Sequence, residues 1–264
     1  MAKQSGLHQI RGKVGEYSYY RQSGIANGLI RGINQGLSSR VKTGDEYANT
    51  RLNNVEFGAA ASVAGCLGKM ITPKYRPMIR PFSQSIMAKD VLELAKQKVE
   101  LWGQRAVGSD DSTELAQILT STSKLSIGDY MRVTAVANSE STIGVTVNLS
   151  VEQVQTLIDL GIDGIVFKIN GHLLRSGQYS PITNRILRSN VRPDGDTYFR
   201  IGLVPGQSFT GEQVLAVGAN PVVAPYTQNV RICTVIAMPF RAVGGSDFTL
   251  QEYCMFTAFN YPSL

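Results

Sequence analysis

TIGVTVNLSVEQVQTLIDLGIDGIVFKING (residues 142–171) reads as strand, helix, strand. TIGVTVNL is a β-type run rich in β-branched residues, and GIVFKING (164–171) is another. Between them Ser150 and Gln153 fit a capping box, in which each side chain satisfies an orphan amide of the first turn. Val151, Val154, Leu157 and Ile158 fall on one helical face, and Gly161 fits the C-terminal cap.

Further β-type runs lie on either side: YMRVTAVAN (130–138), YFRIGLV (198–204), VRICTVIAMPF (230–240) and YCMFTAFNY (253–261). Gly, Pro, Asn and Asp punctuate them. Several strands separated by loops, with one helical interruption, argue for a mainly antiparallel β-sandwich or jelly-roll-like domain over 123–264.

Upstream the period changes. In VKTGDEYANTRLNNVEFGAAASVAGCL (41–67), Thr43 and Glu46 form a capping-box pattern. Leu52, Val55, Ala59, Val63, Cys66 and Met70 then recur at steps of three or four. Gly58, Ala60, Ala61, Ser62 and Gly65 add a surface of small residues. A helix-interior glycine costs roughly 0.5–1 kcal/mol relative to alanine, so the two here imply a close approach of another element. Pro73, Pro77 and Pro81 stiffen the exit. A second helix is expected over 85–101, with Ile86, Val91, Leu94, Ala95 and Val99 on one face, and a short third over 112–119 capped by Asp111 or Ser112. The helical region is 41–122. Before it, GKVGEYSYYRQSGIANGLIR (12–31) reads as a hairpin turning at QSG, and GINQGLSSR (32–40) as loop. Residues 1–40 form an extended arm, too rich in glycine to bury much of itself. The fold class is α+β: N-terminal arm and helices, then the β domain.

The 264 residues suffice for one large or two modest domains. Charged residues are 17%, below the usual ~25%, which fits a surface largely covered by neighbours. Residues 1–80 hold 12 Lys/Arg against 4 Asp/Glu, while the remainder holds 14 against 16. A basic first third points to an acidic partner, either nucleic acid or the face of another copy. Cys66, Cys233 and Cys254 have no metal spacing and read as buried thiols of a reducing compartment. MAKQSGLHQIRGKVG lacks the apolar run of a signal peptide, and no stretch approaches the ~18 apolar residues of a membrane span, so synthesis in a cytoplasm is expected.

Candidate chemistry is sparse. His8 and His172 are the histidines, and neither has a local acid and hydroxyl for a nucleophile relay. SDDSTE (109–114) and PDGD (193–196) lack the continuation of a calcium loop and read as helix capping and a turn. GKVGEYS lacks the full phosphate-loop pattern. No catalytic residue, metal ligand or cofactor is assigned, and the chain is read as a non-enzyme. What remains is the arm, where Arg11, Lys13, Tyr17, Tyr19, Tyr20, Arg21 and Arg31 interleave cations with aromatics. Tyr and Arg are the preferred anchors of protein interfaces, and the same mixture grips phosphate and stacks on bases. An interface is the favoured reading, joined by Gly58, Ala61 and Gly65 on the helix. Weak nucleic-acid contact through residues 1–80 is the alternative.

GKVGEYSYYRQSG followed by RVKTGDEYANTRLNNVEFGAAASVAG resembles the N-terminal module of proteins encoded by phages and prophages of Bacteroidetes-type bacteria. The matching residues are Gly12, Lys13, Gly15, Tyr19 and Tyr20, then Thr43, Thr50, Arg51, Asn53, Asn54, Glu56, Phe57 and Gly58. The likeness covers residues 10–70 and, more loosely, the last 35. It implies a virion structural subunit of a capsid, collar or tail, made in the host cytoplasm, with copies of itself and other virion proteins as partners.

Overall fold

A computed structural model describes residues 2–3, 12–20, 29–32, 37–71, 73–76, 84–121, 125, 127–139, 141–175, 179–180, 185–218 and 229–260. The chain divides into two compact units, residues 1–53 and 54–264.

In the first unit, β1 (Ala2–Lys3), β2 (Gly12–Val14), β3 (Tyr17–Tyr20) and β4 (Leu29–Gly32) form an antiparallel sheet in the order β1-β4-β3-β2. The expected hairpin exists, but the turn between β2 and β3 is at Gly15–Glu16, where Gly15 takes φ +57°. Two-residue hairpin turns need this left-handed backbone, which glycine adopts at no steric cost. The QSG segment lies outside the described residues. Part of the expected loop 32–40 is instead helix: α1 spans Leu37–Thr43.

The Thr43 capping box does not form. Thr43 ends α1, its hydroxyl donating to the Ser39 carbonyl at 3.1 Å. Glu46 pairs with Arg40 at 3.2 Å on the surface. The reason is Gly44, which takes an extended conformation and separates α1 from a 3-10 turn at Asp45–Tyr47. The long helix α2 (Ala48–Met70) follows. Arg51 donates to the carbonyls of Val41 at 3.1 Å and Gly44 at 2.6 Å, satisfying backbone acceptors that the end of α1 leaves open.

In the second unit, α3 (Gln84–Lys96) and α4 (Ser112–Ser121) join the later turns of α2. The β-rich part is α+β and mainly antiparallel, with a sandwich-like arrangement of sheets. β5 (Arg132–Ser139), β6 (Thr142–Leu149) and β11 (Phe209–Ala216) form one sheet in the order β11-β6-β5. β7 (Gly164–Arg175), β10 (Asn190–Gly202), β12 (Asn229–Val243), β13 (Ser246–Thr249) and β14 (Met255–Asn260) form the other, with β12 between β7 and both closing strands. A small pair, β8 (Tyr179–Ser180) and β9 (Arg185–Ile186), stands apart.

The central strands show why the layers stack. On β7, Ile165, Phe167 and Ile169 face the smaller sheet, and their neighbours across the ladder, Val235 and Ala237 on β12, join the same cluster. Leu174 on the alternate face joins Val230, Ile232, Ile236 and Phe256 against the helices. Both faces are buried, so β7 and β12 read as continuous apolar runs. Phe167 stacks on Phe199 with centroids 4.8 Å apart. Such a pair adds about 0.5–1.5 kcal/mol beyond its buried area. The capped helix α5 (Val151–Asp159) follows β6, with the Ser150–Gln153 box present and Gly161 at φ +76°.

Two further expectations change, and one strand goes unread in the sequence. The helix expected over 85–101 stops at Lys96, beyond which Lys98 turns to pair with Asp111. β11 is an edge strand that alternates half-buried with exposed residues, and its Gly, Glu and Gln hide the strand pattern. PDGD is a bulge inside β10 rather than a turn, since the register with β7 shifts between Pro193 and Asp196. Gly195 sits there at φ +105°, where a Cβ would run into the Ala216 carbonyl.

Candidate functional site

The residues expected to form an interface fall on two structures. In the first unit the ladder sets Lys13 opposite Ser18 and Ser18 opposite Arg31, so those backbone positions lie in one row across β2, β3 and β4. Tyr17 is 52% exposed, large for an aromatic side chain in a sheet. Tyr19 is half-buried, and Tyr20 pairs through its backbone with Leu29. Arg11 and Arg21 lie outside the described residues.

On α2 the buried face is turned from the expected stripe. Val63, Cys66 and Met70 are buried as expected, but Ala60, Ala64 and Leu67 accompany them, while Leu52, Val55 and Ala59 are half-exposed. The cause is Glu56, 1% exposed and missed because carboxylates usually face water. Arg105 grips it with two bonds of 2.7 Å, and the Gly103 amide adds a third of 2.7 Å. Burial pushes the Glu56 carboxyl upward, and these donors outweigh it, holding its pKa below the usual value.

The small-residue face divides. Beside Gly65 a Cβ would meet the Gln84 amide nitrogen at 3.1 Å, and that nitrogen donates to the Ala61 carbonyl at 3.4 Å. So α3 supplies the close neighbour expected at Ala61 and Gly65. At Gly58 a Cβ would meet nothing within 4 Å, and Phe57 beside it is 53% exposed. The helix motif TRLNNVEFG is thereby split by burial. Arg51 and Glu56 are tied into the fold, while Asn53, Asn54, Phe57 and Gly58 are exposed.

A polar cluster lies on the helix-facing side of the larger sheet. His172 on β7 is 7% exposed, and its Nε2 is 3.0 Å from the Thr234 hydroxyl on β12. Asn170 and Thr234 are cross-strand partners in the same ladder. Burial holds the His172 imidazole down at about 4, so it is neutral at physiological pH. These residues floor a cleft of about 400 Å³ whose walls are Lys69 and Met70 at the end of α2 and Val191, Pro193 and Asp196 on β10. Lys168 on β7 pairs with Asp196 at 3.1 Å. Beneath the bulge, Asp194 is buried and accepts from the Gly218 amide at 3.0 Å, while Arg231 donates to the Gly218 carbonyl at 3.0 Å.

The SDDSTE cluster serves the fold. Asp111 accepts from the Gly108 amide at 2.7 Å and pairs with Lys98, whose hydrogen bond to that carboxylate raises its own pKa. Among the described residues no group of three or more His, Cys, Asp or Glu is placed to hold a metal ion. The three cysteines are buried free thiols, and burial pushes Cys233 to about 12 and Cys254 to about 11. Among the described residues no helix is long and apolar enough to cross a membrane.

No protein-family model matches the chain, and no curated protein matches it. Among solved structures, a glycosyl hydrolase family 2 member from Bacteroides cellulosilyticus DSM 14838 aligns with 49% of this chain at 10% identity and a TM-score of 0.25. The chain spans 14% of that protein's length, and a likeness at this level carries no conclusion about function.

Proposed function

We propose that the chain is a structural subunit of a bacteriophage virion, a capsid, collar or tail component that assembles through its N-terminal sheet and the exposed side of α2. The observation that carries the reading is the split of the TRLNNVEFG motif. Arg51 and Glu56 are tied into the fold by hydrogen bonds, whereas Phe57 is 53% exposed and a Cβ at Gly58 would meet nothing within 4 Å, so packing among the described residues leaves this side of the helix open. A contact made by another chain accounts for both. The motif lies within residues 10–70, the stretch that resembles phage-encoded proteins. Copies of itself and other virion proteins are the partners, and the virion is where the chain ends. Mass spectrometry of purified particles tests this. The chain is expected there in many copies, and finding it in host cytoplasm but never in particles removes the reading.

A second reading is a basic nucleic-acid-binding protein. It is favoured by the register that aligns backbone positions 13, 18 and 31 across the N-terminal sheet, within a stretch of 12 Lys/Arg against 4 Asp/Glu over residues 1–80. Filter binding across a salt series separates the two, because phosphate contacts impose a steep fall of affinity with salt.

A further inference from the structure

We propose that the cleft over β7 and β10 binds a small phosphorylated molecule, about the size of a sugar phosphate, through Lys69, Lys168 and His172. At about 400 Å³ the cleft falls within the size range of small-molecule sites, about 300–1,000 Å³. The bulge at Asp194–Gly195 interrupts the β10–β7 ladder along its wall. Bulges recur where a strand serves a site rather than a ladder.

Charge selects the ligand. Two lysines, Lys69 and Lys168, line the cleft with one carboxylate, Asp196, and His172 there is neutral. A phosphate monoester carries close to two negative charges at neutral pH. Lys69 is exposed and has no ion pair among the described residues. The pair that Lys168 does make is with a carboxylate whose side chain is 63% exposed, an interaction water already weakens and a phosphate displaces.

Polarity places the rest. His172 spends Nε2 on Thr234, and its Nδ1 has no hydrogen bond among the described residues. Met70, Val191 and Pro193 give an apolar wall for a carbon skeleton. Nothing in this site depends on the assembly reading.

Calorimetry and imidazole ¹H–¹³C spectra of the full chain test the proposal, with glucose-6-phosphate, glucose and inorganic phosphate as probes. Glucose-6-phosphate is expected to bind and to shift the His172 ring signals, distinguished from those of His8 by His172→Gln. Glucose is expected not to bind, and inorganic phosphate to bind more weakly. Lys69→Gln and Lys168→Gln should each cut affinity about tenfold, the scale of one charge-assisted bond, while Lys96→Gln, an exposed lysine at the end of α3, should not. Lys69 is on the surface, so its variant tests the cleft without disturbing the core. The proposal is overturned by no binding at about 10 mM glucose-6-phosphate, well above a millimolar Kd. Equal binding of glucose, equal binding of inorganic phosphate, or equal losses in Lys69→Gln and Lys96→Gln also overturn it.

Discussion

The two units spend their residues differently. In residues 1–53 the strands are two to four residues long, and among the residues whose side chains are described Leu29 alone is buried. In residues 54–264, β10 and β12 run to 13 and 15 residues, and two apolar clusters cover both faces of the sheet that contains them. One buried leucine is worth about 1.5–3 kcal/mol, whereas each ordered residue costs about 1–2 kcal/mol of backbone entropy. Hydrogen bonds close the first sheet, and among its described side chains burial contributes little. On the proposed reading, contact with another body supplies what this sheet lacks.

The sharpest way to test the contrast is in the second unit. Phe167→Ala removes a fully buried ring and should cost about 3–5 kcal/mol in chemical denaturation. Glu56→Ala should cost a similar 3–5 kcal/mol, because it leaves the partly buried Arg105 unpaired. Either loss below about 1 kcal/mol would mean that the second unit is no better packed than the first.

Acid gives a smaller effect of defined sign. The imidazole of His172 is held at about 4 when folded and has its ordinary value of 6.5 when unfolded. Between those values the unfolded chain binds the extra proton, so stability is fully present above about pH 6.5 and falls as pH drops toward 4. The difference corresponds to at most about 3 kcal/mol. Denaturation midpoints at pH 7 and pH 4.5 should separate in the native chain and move closer in His172→Gln; unchanged separation would assign the acid loss to carboxylates.

What could be read from sequence follows the same contrast. β6, α5 and the cores of β7 and β12 carry strong local signals, namely β-branched runs, a Ser–Gln box and a C-terminal glycine, and they fold as read. The rotation of α2 could not be read because a carboxylate at position 56 looks solvated until Arg105, far along the chain, is brought to it. The bulge at Asp194–Gly195 reads locally as a turn, and only its pairing with β7 makes it a strand. His172 looked isolated for the same reason, since Thr234, Lys69 and Asp196 reach it through the fold.

Removing residues 1–36 probes the first unit alone. Cutting before Leu37 rather than at residue 40 keeps α1 and its Arg51 contacts whole. The second unit should then unfold within about 0.5 kcal/mol of the full chain, as a change outside its core clusters does. Sedimentation should show lost assembly. Normal assembly by the shortened chain would leave the N-terminal sheet without the interface role.

Gly58→Leu gives a small stability effect of the opposite sign to the core substitutions. Sequence alone leads to a cost of overpacking, ~1–3 kcal/mol, on the view that another element crowds this glycine. The geometry reverses the sign for the isolated chain. Space around Gly58 is open and its backbone is helical, so leucine meets no obstacle and removes the conformational freedom that makes glycine a poor helix former. The isolated chain should gain about 0.5–1 kcal/mol in thermal or chemical unfolding. If Phe57 and Gly58 seat a neighbouring chain, the same leucine fills the space that chain needs, and assembly measured by sedimentation should fall while stability rises. Gly65→Leu serves as the comparison, since a Cβ there would already lie 3.1 Å from the Gln84 amide nitrogen and the leucine must displace that side chain, so its gain should be smaller than that of Gly58→Leu. A Gly58→Leu chain that is both more stable and fully able to assemble would show that this side of α2 faces solvent in the particle as well.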